Sequence, residues 1–183
     1  MNMKKLAGYA VVACAFGVLG AMAGINKGDG PITTAYASTD GKAHTAVSRF
    51  YGMSLKDAGG KPQAMSQWQG KAMVVNFWAT WCAPCVREMP ELDAMAKELA
   101  AKNIAVIGIG IDSPSNIAQF AGKLKISYPV YAAGMEGTDL ARELGNTQGG
   151  LPYTVLIGAD GAVRKTYLGQ IKFDQLRADL AAL

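Results

Sequence analysis

The chain of 183 residues is 50% hydrophobic and 17% charged, with 18 basic against 14 acidic side chains and a formal net charge of +4, which excludes a charge-rich disordered tail and a coiled coil. Lys4, Lys5, Lys27 and Lys42 against Asp29 and Asp40 make the first 45 residues mildly basic. The remaining 138 carry 14 basic and 12 acidic groups, which leaves no footprint for nucleic acid. The length allows one ordinary domain and an appendage, with enough Val, Ile, Leu, Phe and Trp to bury a core.

The appendage comes first. After Met1-Asn2-Met3-Lys4-Lys5, Leu6 to Ile25 is a run of twenty residues without a charge, which as a helix rises about 30 Å and matches the hydrocarbon thickness of a bilayer. The two lysines before it predict a cytoplasmic N-terminus and an exported domain. Residues 1–25 are therefore expected to form an uncleaved inner-membrane anchor, because the run exceeds the about 7 to 15 apolar residues of a signal-peptide core. The alternative is a soluble periplasmic protein after cleavage, since Ala21-Met22-Ala23 and Ala35-Tyr36-Ala37 both have the small-x-small pattern that a signal peptidase accepts. Val11-Val12-Ala13-Cys14 loosely resembles a lipobox, but the chain stays apolar to Ile25. Residues 26–46, with the turn formers Gly28-Asp29-Gly30-Pro31, are expected to be a flexible linker, and 47–183 the domain. His44, the only histidine, falls in the linker, so no imidazole in the domain supplies a base or a metal ligand unless the linker folds back onto it.

Arg49 to Ser54 is expected to be extended and, with Asp57-Ala58-Gly59-Gly60-Lys61-Pro62 as a turn cluster, to open a small hairpin. Met73 to Trp78 is a continuous apolar run of strand type. Val86, Met89, Leu92, Met95 and Leu99 fall at helical spacing between Ala83 and Lys102. Ile104 to Ile111 is too apolar to alternate, as befits a strand covered on both faces, and completes a βαβ unit. A helix after Ser113, a strand at Tyr128–Ala132 and a helix from Thr138 to Leu144 stopped by Gly145 continue the alternation. Tyr153–Ile157 and Val163–Leu168 read as an antiparallel hairpin, and Phe173, Leu176, Leu180 and Leu183 mark a closing helix.

Cys82 and Cys85 lie two residues apart at a strand-to-helix junction, with Pro84 between them. A stapling disulfide over so short a loop gains only about 2 kcal/mol. A zinc site lacks partners, because no second Cys pair or His pair exists in this chain. Redox chemistry explains both position and spacing. The helix N-terminus favours a thiolate on Cys82, the nucleophile, and Cys85, more shielded, resolves the mixed disulfide. Pro84 removes an N–H where the helix does not use it and restrains the loop.

Asn76-Phe77-Trp78-Ala79-Thr80-Trp81-Cys82-Ala83-Pro84-Cys85-Val86-Arg87-Glu88-Met89-Pro90 resembles the active-site segment of the thioredoxin superfamily. More narrowly it resembles the membrane-anchored TlpA/ResA/CcmG group of extracytoplasmic thiol-disulfide oxidoreductases, from about Phe50 to the C-terminus. The resemblance implies an α/β thioredoxin-like fold, a central mixed sheet flanked by helices, with an N-terminal hairpin and a central insertion between Asp112 and Gly145. It implies that Pro152, in Gly150-Leu151-Pro152, is a cis-proline facing the cysteines, and that Leu151 before it helps tune the potential. Trp81 looks like the family's active-site tryptophan, part of the docking surface. Trp78 is expected in the core, Arg87 in solvent, and Pro90 is expected to kink the helix. Cytoplasmic thioredoxins carry a buried aspartate where this chain has Asn76, and a neutral amide cannot take a proton from the resolving cysteine. Glu88 matches a glutamate of the ResA-like group that manages protons near the cysteines, against the alternative of a solvated residue complementing the helix dipole.

A peroxiredoxin-type peroxidase would not need this vicinal pair, and a Sco-type copper chaperone uses a late histidine that the domain lacks. The expected activity is reduction of cysteine pairs in exported proteins such as apocytochrome c or copper-site proteins, with no diffusible cofactor and no metal. The resemblance implies a DsbD- or CcdA-like membrane protein as electron donor, and a monomer is expected. The alternatives are a disulfide oxidase or isomerase and a non-catalytic peptide-binding module.

Overall fold

The computed structural model describes residues 39–182, with side chains from residue 41 onward. The expected anchor and the greater part of the expected linker lie outside the described residues. No helix among the described residues is long and apolar enough to cross a membrane.

The chain begins with helix α1 (Thr39–Gly52), followed by strands β1 (Ser54–Asp57) and β2 (Pro62–Ala64) and a 3₁₀ turn at Met65–Trp68. Then come β3 (Ala72–Trp78), α2 (Ala83–Ala100), β4 (Ile104–Gly110), α3 (Pro114–Lys123), β5 (Val130–Ala132) and α4 (Gly134–Glu143). The hairpin β6 (Tyr153–Ile157) and β7 (Val163–Leu168) and helix α5 (Phe173–Leu180) close the chain. The seven strands form one sheet in the order β2-β1-β5-β4-β3-β6-β7. β3, β4 and β5 are parallel, and the other neighbours antiparallel. This is the mixed α/β sheet expected, with the N-terminal hairpin placed at one margin against β5 and α3–β5–α4 as the central insertion.

Alternation along the central strands divides the interior into two cores. Val74 and Trp78 of β3, Val106 of β4 and Leu156 of β6 pack with Met89, Leu92, Ile117 and Leu176 from α2, α3 and α5. Met73, Val75 and Phe77, with Ile107, Ile109 and Val155, pack with Phe50 and Leu140 from α1 and α4. Trp78 is buried as expected and Arg87 is exposed.

The first element departs from expectation. Residues 39–46, taken as the end of a linker, and Arg49–Gly52, taken as extended, form one helix. Ala43, Ala46, Val47 and Phe50 recur at helical spacing, and the last three are buried on the second core. Folded structure therefore begins before residue 47. α4 likewise begins at Gly134, four residues before the expected start. Glycines are poor helix formers, but a Cβ at Gly137 would lie 3.0 Å from Ala133 Cβ, 3.2 Å from Ile111 and 3.4 Å from Ile109 of β4, so glycine lets the helix pack there without displacing its neighbours. Gly145, at φ +108°, ends α4 as expected.

Asp93, buried on α2, accepts hydrogen bonds from Ser127 N at 2.6 Å, Ser127 Oγ at 2.7 Å and Tyr128 N at 3.3 Å, and pairs with Lys97 at 2.8 Å. Burial opposes the charge, but Lys97 and Ser127 outweigh it and hold the carboxyl at about 2. A depressed carboxylate stabilises the fold above its unfolded value of 3.8, and the contribution is lost as pH falls from there through about 2. Asp93→Ala should lower the unfolding free energy by roughly 2–4 kcal/mol at neutral pH, because donors on Ser127 and Tyr128 lose their acceptor. It should also flatten the acid limb in urea titrations between about pH 4 and 2. An unchanged acid limb would place the pH sensitivity elsewhere.

Candidate active site

β3 ends at Trp78, and the turn that follows carries the motif into the N-terminus of α2. Cys82 N donates to Ala79 O at 3.1 Å, and Thr80 Oγ1 donates to Asp112 Oδ2. Asp112 Oδ1 also accepts from Ser113 N at 2.7 Å and Asn116 Nδ2 at 2.8 Å, so one carboxylate ties the loop before the cysteines to the start of α3. Asp112 was not singled out from sequence, where Asp112-Ser113-Pro114 carries the signal of a helix start.

Cys82 is the N-cap of α2, with φ −90° and ψ 95°. Its Sγ accepts from Cys85 N at 3.4 Å. Ala83 and Pro84 fill the first helical positions, where a missing N–H costs no intrahelical bond. Cys82 and Cys85 are joined by a disulfide, with their Cα atoms 5.3 Å apart. Cys82 is 6% exposed and Cys85 0%, so an incoming sulfur can reach only Cys82. Trp81, 71% exposed, stands in solvent beside it.

Leu151–Pro152 is a cis peptide, at the start of β6. Tyr153 of that strand pairs with Phe77, which places the bond at the same end of the sheet as the cysteines. Pro152 O accepts from Gly169 N at 2.9 Å, and Leu151, half-buried, packs against both cores.

Glu88 lies one turn after Cys85 on the same helical face, where residues three apart are neighbours about 5–6 Å apart at Cβ. It is 1% exposed, so the solvated, dipole-complementing alternative does not hold. Oε1 accepts from Asn76 Nδ2 at 3.0 Å, and Oε2 from Ile171 N at 2.8 Å. Burial raises its pKa, while Ile171 and Asn76 pull the other way. Asn76, buried and neutral, also donates to Thr154 Oγ1 at 3.0 Å. The amide that departs from the thioredoxin pattern is thus a donor to a buried acid. Nothing in the sequence alone distinguished Asn76 in this role. Pro90 lies exposed inside α2, which continues through it to Ala100.

An accessible sulfur at a helix N-terminus, a shielded partner and a buried acid one turn deeper define a dithiol–disulfide exchange centre on a thioredoxin-like sheet. Residues 38–180 match the redoxin family; the chain belongs to that family and is a thiol-disulfide oxidoreductase of the ResA/CcmG-like kind. It is 30% identical to the thiol-disulfide oxidoreductase ResA of Bacillus cereus, over 69% of this chain and 71% of the relative. It is 26% identical to that of Geobacillus thermodenitrificans, over 70% and 72%. Among solved structures it resembles a thiol:disulfide interchange protein of the thioredoxin family from Chlorobium tepidum TLS, at 28% identity and TM-score 0.62, over 71% of this chain and 91% of that one. A secreted Mycobacterium tuberculosis disulfide oxidoreductase homologous to E. coli DsbE shares the fold, with TM-score 0.60 at 22% identity, over 74% and 98%.

Proposed function

We propose that the protein is a membrane-anchored extracytoplasmic reductase of disulfides in exported proteins, apocytochrome c and copper-site proteins among them. The observation that carries this reading is the asymmetric Cys82–Cys85 pair at the N-terminus of α2 with Glu88 buried one turn below. In the dithiol form, Cys82 as thiolate attacks a substrate disulfide. One Cys82–substrate S–S bond forms, the substrate S–S bond breaks, and the leaving thiolate takes a proton. Cys85 gives up its proton, with Glu88 as acceptor, and attacks Cys82 Sγ. The enzyme disulfide forms and the second substrate thiol leaves, so two electrons and two protons pass to the substrate. Trp81 and the Leu151–Pro152 bond frame the substrate chain, and Leu151 tunes the potential.

Recovery of the dithiol needs a reductant, and a DsbD- or CcdA-like membrane protein supplies electrons in this reading. The Leu6–Ile25 span keeps the domain beside it, with a cleaved, soluble periplasmic form as the alternative. The test is the reduction potential of the whole chain, equilibrated with dithiothreitol or glutathione buffers. A value near roughly −270 mV is expected; one near roughly −120 mV would overturn the direction and make the protein an oxidase or isomerase.

A further inference from the structure

Three large apolar side chains are exposed among the described residues: Met135 at 73%, Trp81 at 71% and Leu168 at 49%. Such residues scattered singly over a surface are ordinary, but the register of the strands places these three at one end of the sheet. Trp78, which ends β3, is level with Gly110 of β4, and Gly110 with Ala132 of β5. Trp81 follows Trp78 by three residues, and Met135 follows Ala132 by three. On the other side Phe77 of β3 is level with Tyr153 of β6, and Tyr153 with Leu168, the last residue of β7. β5 and β7 each lie two strands from β3, in opposite directions, which is about 10 Å each way at the usual strand spacing.

The chain around Met135 holds it there. Gly134, at φ +51°, turns the chain from β5 directly into α4. A Cβ at Gly137 would lie 3.2 Å from Ile111, so the first turn of α4 rests on the residue whose N–H donates to Trp78 O at 2.8 Å. Asp112, next in the chain, accepts from Thr80. The end of α4 that carries Met135 is thereby tied to the loop that carries Trp81 and Cys82. Leu168 packs beside Gly150, where a Cβ would lie 3.0 Å from its Cδ1, two residues before Pro152.

We propose that Met135 and Leu168 are specificity-determining contacts for substrate, and that the occupant of this end is an extended, incompletely folded segment with an apolar side chain about three residues from its cysteine on each flank. Cys82, 6% exposed, is reached by a sulfur on a chain narrow enough to lie along the end of the sheet, not by one set in a compact surface. The chain that brings this sulfur has to cross the same end. At about 3.3 Å per extended residue it covers the roughly 10 Å to β5 or to β7 in about three residues. Methionine is unbranched and polarisable, so it accommodates apolar partners of different shape and selects for apolar character more than for one residue. Glu136, exposed next to Met135, disfavours an acidic residue at the same place.

These contacts rest on Cys82 as the sulfur that attacks substrate, so the test reads that attack and nothing after it. The reduced full-length chain carrying Cys14→Ser and Cys85→Ser keeps one thiol, Cys82. It is mixed with a short cysteine peptide activated as its thionitrobenzoate disulfide. The Cys82 thiolate forms an S–S bond with the peptide sulfur, the old S–S bond breaks, and coloured thionitrobenzoate leaves with the electron pair. A peptide with leucine about three or four residues from the cysteine, on either flank, should react about tenfold faster than one with glutamate there. Met135→Ser should remove that preference on one flank and keep it on the other, and Leu168→Ser should do the reverse. Met135→Lys should make the glutamate peptide the faster of the two on the flank that Met135 reads. Equal rates for the two peptides in the parent, or ratios that the serine variants leave unmoved or shift alike on both flanks, overturn the proposal and leave the role of Cys82 standing. A chain inert to both peptides overturns the two together. A preference that fades as protein concentration rises means that a second copy covers this end, and overturns the proposal as well.

Discussion

Cys82→Ser should abolish disulfide reduction, with turnover down by at least about a thousandfold, while the protein stays folded. Serine keeps the N-cap oxygen that such positions favour but offers no thiolate, and thiolate is the attacking species in exchange. Cys85→Ser should behave differently. Cys82 remains accessible and nucleophilic, yet nothing buried behind it displaces the bound substrate, so mixed disulfides with substrate proteins should accumulate on non-reducing gels. Survival of partner capture and of the cellular phenotype in Cys82→Ser would mean a peptide-binding module on this fold, with an idle disulfide. Adducts in Cys85→Ser would show that Cys82 makes the first attack and that Cys85 is needed to release the substrate.

Glu88→Gln should slow the resolving step by about a hundredfold or more, the range in which positioned acid–base groups act, and leave the first attack by Cys82 nearly unchanged. Glutamine keeps the size and one acceptor for Asn76 or Ile171 but cannot hold the proton that Cys85 releases. Stopped-flow Trp fluorescence separates the two steps, since Trp78 and Trp81 lie just before Cys82 in the chain. The stability of the two forms should differ with pH as well. Glu88 is raised above its ordinary 4.5 by burial, so the folded state binds its proton more tightly than the unfolded state does. Stability therefore falls as pH rises from about that value through the folded pKa, and the slope should be absent in Glu88→Gln. Equal slopes in the two proteins would remove Glu88 from the proton account.

Much of this arrangement was legible from residues alone, and the exceptions share a cause. β6 and β7 were read to the residue because Tyr153–Ile157 and Val163–Leu168 are bounded by turn formers, with β-branched and aromatic residues inside. β3 and β4 were legible as continuous apolar runs, and the cysteine pair by its spacing at their junction with α2. α1 was not, because its buried stripe rests on Ala46 and Val47 and gains only one large side chain, Phe50. α4 was read short because Gly134 and Gly137 argue against helix locally, while tight packing on Ala133, Ile109 and Ile111 favours the second of them. The cis bond at Pro152 followed from family resemblance and not from the dipeptide itself. Glu88 was placed near the cysteines by the same resemblance, but its buried partners are Asn76 of β3 and Ile171 before α5, which no local pattern in α2 reveals. Asp93 and Asp112 escaped notice for the same reason: each ties down a segment distant in the chain, 34 positions away for Asp93 and 32 for Asp112.

The margins of the sheet bear on what such a protein does all day. β2, at one margin, is three residues long and opens with Pro62, which lacks an N–H to offer a neighbour. β7, at the other, turns Arg164, Lys165 and Thr166 to solvent. An extended chain is prone to pair with any strand left open. A short, proline-headed border and a charged one give such a chain a poor template, which leaves the end of the sheet where Cys82 lies as the place for contact that a sulfur bond makes and ends.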